Sequence, residues 1–133
     1  MIKTILFIVT NGVGLGHLTR GLAVASKMRV TASEYQYIFL TTSIAVNVLK
    51  DSGFQYYYIP SRELYTKKYP MKVWYQMLRD TLKKITKQHN VIAWIYDGAY
   101  PYIPLLEKFE GHANIKKIWI KREGDRPCYL PLR

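Results

Sequence analysis

Short runs of apolar, β-branched and aromatic residues recur along this chain, and between them apolar positions fall three or four apart. The first pattern predicts strands at 4–10, 35–40, 54–59, 91–96 and 115–120. The second predicts helices at 17–29, with Leu18, Leu22, Ala25 and Met28 on one face, at 44–50, at 71–88 and near 104–109. The helix at 71–88 is the most amphipathic, with Trp74, Met77, Leu78, Leu82 and Ile85 at helical spacing. Polar residues at 62–68 read as a loop, and no repeat or low-complexity segment is present. Strands that alternate with helical crossovers imply a parallel sheet covered on both faces. The expected fold is therefore α/β, a Rossmann-like doubly wound sheet of five or more strands in the order 3-2-1-4-5.

Between the first strand and first helix stands Asn11-Gly12-Val13-Gly14-Leu15-Gly16-His17-Leu18-Thr19-Arg20. A strand-to-helix turn of this kind aims backbone N–H groups and the positive end of a helix dipole at a phosphate, a carboxylate or a sugar hydroxyl. It is not the dinucleotide fingerprint, because His17 occupies the place of the third glycine and Thr41-Thr42-Ser43 after the second strand offers no carboxylate for a ribose. Nor is it a Walker-type loop, since no lysine follows the glycines.

The run resembles the first loop of the GT-B fold glycosyltransferases, in particular the UDP-glycosyltransferase-like superfamily. The pattern there is Gly-x-Gly-x-Gly-His-x-x-Arg or -Pro, and Gly12, Gly14, Gly16, His17 and Arg20 stand in those places. Trp94-Ile95-Tyr96-Asp97-Gly98 is similar to that family's strand-Asp element, and Ile118-Trp119-Ile120-Lys121-Arg122-Glu123-Gly124 to its Trp-containing strand and Arg-Gly segment. The resemblance implies that residues 1–125 form the N-terminal, acceptor-binding half-domain, with 126–133 a truncated or disordered tail. A C-terminal donor-binding domain or partner chain would complete the enzyme, and the chain alone would transfer nothing. The implied cofactor-like substrate is a nucleotide-sugar, a UDP-sugar by resemblance, and the implied acceptor a lipid-linked or glycan hydroxyl.

The expected sheet order sets the glycine run beside Asp97 at the carboxyl edge. His17 would then act as general base on the acceptor hydroxyl, with Asp97 fixing its tautomer and stabilising the imidazolium. Gly12, Gly14, Gly16 and Arg20 would form an acceptor- or phosphate-binding loop, and the scheme needs no metal. Each residue also has a plainer reading. His17 suits a helix start, Asp97 a turn cap, the glycines a tight turn, and Arg20, the plainer reading being favoured here, an ordinary solvent-exposed charge of the first helix. His89 reads as a dipole partner at a helix C-terminus, and His112 as a loop residue. Neither makes metal-ligand spacing with His17 or Cys128. Glu123 and Asp125 do not suit a metal pair, lying in a charged tail far from the glycine run.

Composition adds a partner question. The chain has 133 residues, 49% of them hydrophobic, enough for one domain with a core. Twenty lysines and arginines face nine acids, a net charge of +11, which calls for an anionic partner. No nucleic-acid motif accompanies that charge, and no specific nucleic acid is expected. Leu64, Tyr65, Tyr69, Met71, Trp74 and Tyr75 are interleaved with lysines, a mixture suited to an anionic membrane surface, unless these residues pack inward. Segments 61–69 and 99–102 are the expected acceptor-side loops. The single cysteine and the direct entry of Met1-Ile2-Lys3 into a strand fit a cytoplasmic protein, peripheral at the inner face of the membrane. The competing reading from another class is a non-catalytic basic module of flavodoxin-like topology that binds nucleic acid or another anionic polymer.

Overall fold

The computed structural model describes residues 1–10, 16–43, 45–98, 101–107 and 114–120, and for residues 16 and 17 the backbone alone. Among the described residues, five strands form one parallel sheet in the order β3-β2-β1-β4-β5. They are β1 (Lys3–Val9), β2 (Gln36–Thr41), β3 (Gln55–Tyr58), β4 (Asn90–Asp97) and β5 (Lys116–Ile120). The helices are α1 (Gly16–Thr31), α2 (Asn47–Asp51), α3 (Arg62–Tyr65), α4 (Met71–Gln88) and α5 (Ile103–Leu106). The chain is thus a Rossmann-like, doubly wound α/β domain with helices on both faces of the sheet.

Strand alternation divides the core in two. Ile5, Phe7 and Val9 of β1 join Phe39 and Ile95 beneath Leu18 and Ala25 of α1 and Leu49 of α2. Leu6 and Ile8 of β1 join Leu40, Trp94 and Tyr96 beneath Trp74, Leu78, Leu82 and Ile85 of α4. The central strand is apolar on both faces, as a covered parallel sheet requires. Gly21 lets α1 lie close, since a β-carbon there would come within 3.2 Å of Val9 Cγ2.

Two expectations are corrected. Segment 62–68 is not all loop: Ser61 Oγ accepts from the Leu64 N–H and nucleates the one-turn α3. The helix expected from 104 to 109 is the single turn of α5, and Glu107 after it is extended. Trp74 packs inward, as its place on the apolar face of the 71–88 helix allowed. It is fully buried, donates from Nε1 to the Pro60 carbonyl at 2.8 Å and packs edge-on to Tyr102.

His89 also departs from its expected role. It closes α4 in extended backbone, and its Nε2 lies 2.9 Å from the Tyr57 hydroxyl, which donates its own proton to Gln88 Oε1 at 2.6 Å. Burial holds its imidazole below the ordinary value of 6.5, so at neutral pH it is uncharged and not a cationic partner for the helix dipole. The folded value being the lower, this contribution to stability is complete above pH 6.5 and is lost as pH falls through the folded value. The urea midpoint is expected to drop between about pH 8 and about pH 5, and the His89→Gln variant to show a smaller drop over that window.

Candidate functional site at the carboxyl edge of the sheet

The site is built where β1 and β4 end side by side. Register pairs Ile8 with Tyr96, which sets Asp97, the last residue of β4, level with Val9. Asp97 lies two residues beyond Ile95 and so shares the α1 face of the sheet. Its carboxylate is 1% exposed. A charge so placed is costly unless paired and hydrogen-bonded.

Arg20, one turn into α1, provides the pairing. Its Nε donates to Asp97 Oδ2 at 2.6 Å, and its terminal nitrogen donates to Oδ1, a two-pronged fork onto one carboxylate. Arg20 is therefore not the ordinary solvent charge that the first helix suggested. The ends of this contact are 77 residues apart in sequence, and it clamps α1 onto β4.

Behind Asp97 the backbone is fixed by aromatic groups. Trp119 of β5 donates from Nε1 to the Gly98 carbonyl at 2.8 Å. The Tyr102 hydroxyl donates to the Thr10 carbonyl at 2.9 Å and so ties the start of α5 to the end of β1. Tyr96 lies edge-on to Tyr102, and burial raises the hydroxyl pKa of both, so they are neutral hydrogen-bonding groups at physiological pH. Any side chain at Gly98 would collide with the Tyr96 ring, because a β-carbon would sit 2.5 Å from its hydroxyl oxygen and 2.7 Å from Cζ.

The remaining site residues stand as follows. Gly12 and Gly14 lie outside the described residues. Gly16 and His17 form the first two positions of α1, which brings the His17 backbone to the same helix end as Arg20, while its side chain is outside the description. His112, Cys128, Glu123, Asp125 and the tail 126–133 are also outside it. Ala99 and Tyr100 of one expected acceptor loop are not described either, and Tyr102 of that loop is buried. Two further groups were not foreseen. The hydroxyls of Thr10 and Thr42, both buried at this edge, have no hydrogen-bond partner among the described residues. Leaving such groups unpaired costs free energy, and sites that bind polar ligands are where they are retained.

No family model, curated protein or solved structure matches this chain.

Two outcomes follow from this geometry. Arg20→Ala strips two charge-assisted donors from a buried carboxylate and is expected to cost roughly 2–3 kcal/mol in urea unfolding, whereas Arg20→Lys, which keeps the charge without the fork, loses less. Gly98→Ala is expected to cost about 1–3 kcal/mol, because the Tyr96 ring is held by Tyr102 and cannot turn aside freely; an unchanged midpoint would show that it can.

Proposed function

We propose that this chain is the acceptor-binding half of an inverting glycosyltransferase of the GT-B type, with the nucleotide-sugar donor held by a second half-domain or partner chain. The observation that carries this reading is the convergence of three separate sequence elements. Arg20 of the glycine-rich run forks onto Asp97 of the strand-Asp element, and Trp119 of the third element hydrogen-bonds the carbonyl of Gly98. A flavodoxin-like binding module has no requirement for a buried carboxylate held in this way at the start of the first helix.

In this reading His17 removes the proton of the acceptor hydroxyl as its oxygen bonds to the anomeric carbon of the sugar. The bond from that carbon to the nucleotide diphosphate breaks, the diphosphate leaves with the bonding pair, and the configuration inverts. Asp97 orients the imidazole and stabilises its cation. Arg20 is a positioning residue that holds Asp97, a narrower role than gripping a phosphate itself. The α1 N-terminus and the Thr10 and Thr42 hydroxyls supply polarity for the acceptor.

The test is transfer of labelled sugar from UDP-sugars to lipid-linked and glycan acceptors by this chain in its native polypeptide or complex. Replacing His17 by alanine is expected to lower turnover by about a hundredfold or more with folding unchanged. Retention of turnover in that variant would overturn the assignment.

A further inference from the structure

The segment 61–73 contains four basic residues, Arg62, Lys67, Lys68 and Lys72, and one acid, Glu63. Glu63 is paired with Arg62 at 3.6 Å, so the lysines carry the net charge of this surface. Among them the chain leaves aliphatic groups in solvent: Leu64 is 54% exposed, Met71 46% and Val73 38%, with Tyr69 at 51%. The first turn of α4 stands clear of the sheet, for Met71, Lys72 and Val73 are all exposed before Trp74 turns inward. Ile103, 56% exposed, opens α5 nearby, since Tyr102 beside it packs against Trp74 and lies under the Arg62 guanidinium at 5.1 Å. Burying aliphatic surface is favourable, so leaving this much of it exposed in one region marks a contact surface.

We propose that this apron of α3, the α3–α4 connection and the first turn of α4 seats on the headgroup region of an anionic lipid bilayer. Exposed aliphatic side chains interspersed in the sequence with exposed lysines satisfy both demands of that interface, shallow burial of hydrocarbon and attraction to negative headgroups. A nucleic acid would match the lysines but gain little from Leu64, Met71 and Val73. Single strands bind by stacking bases on open aromatic faces, and here Tyr65 and Tyr69 stack on each other at 4.7 Å. Membrane contact at this place does not depend on the transferase reading. Among the described residues no helix is long and apolar enough to cross a membrane, so the contact is with the surface.

The experiment is co-sedimentation of the full chain with phosphatidylcholine vesicles and with vesicles containing phosphatidylglycerol, no sugar or nucleotide being present. Binding is expected to require the anionic lipid and to weaken with salt. Lys67→Gln, Lys68→Gln and Lys72→Gln together should reduce it by about fivefold for each lysine neutralised. A control triple removes equal charge from exposed lysines elsewhere, Lys27→Gln, Lys50→Gln and Lys87→Gln, and should reduce it far less. Leu64→Ser with Met71→Ser, both exposed and so neutral for folding, should weaken binding by about tenfold at unchanged charge. Equal losses in the two lysine triples would overturn the proposal in favour of general polycation behaviour. So would vesicle binding unaffected by the serine pair, or a single-stranded RNA that the parent binds more tightly than vesicles.

Discussion

A carboxylate withdrawn from water at the end of a central strand has to be compensated, and here a guanidinium takes a principal part in that. The Asp97 side chain is almost entirely buried, and Arg20 meets both of its oxygens. Such a pair is a poor source of stability compared with well-packed hydrocarbon of the same volume, but it is unforgiving of misplacement. For the fork to form, α1 must start at the right height above β1, β4 must reach the carboxyl edge in the register that pairs Ile8 with Tyr96, and α1 must pack closely enough for Gly21 to lie against Val9. The pair therefore fixes the geometry of the helix end at which His17 stands.

The two faces of the sheet divide the work. On the α1 side the core is compact, with Phe7 stacked on Phe39 at 5.2 Å, and α1 is held close to the strands. On the α4 side the core is built from larger aromatics whose polar atoms reach backbone carbonyls: Trp74 to Pro60, Tyr102 to Thr10 and Trp119 to Gly98. Each of those carbonyls belongs to a segment just after a strand, where the ladder no longer supplies a partner. Aromatic side chains thus brace the connections at the carboxyl edge from below, and rigid connections there are what a site at that edge requires.

Periodicity made the scaffold legible in advance. The bounds of α4 follow from Trp74, Leu78, Leu82 and Ile85 at helical spacing, and the strand order follows from the rule that crossovers in a parallel sheet are right-handed and sheets wind outward in both directions. What failed were judgements about single residues. Arg20 looked like any charge on a first helix, because its partner lies 77 residues away and nothing in the local sequence announces it. The capping of α3 by Ser61 could have been read from Ser-x-x-Leu beside Glu63, but a helix of one turn leaves no hydrophobic period to detect.

The candidate site and the apron of exposed lysines and aliphatic groups occupy the same edge of the molecule for a topological reason. In a parallel sheet every strand leaves at the carboxyl edge, so the starts of α1, α3, α4 and α5 all gather there. The opposite edge receives helix ends and strand beginnings, among them His89 and Lys3. Residues with no sequence proximity are in this way turned toward one boundary: Arg20 and Asp97 near its centre, Leu64, Lys68, Met71 and Lys72 to one side. A molecule lying on that boundary would be approached there by anything the surface carries. In the transferase reading proposed above, an acceptor hydroxyl borne by lipid would reach the helix end at His17 by moving along the surface, without the cost of drawing its hydrocarbon into water.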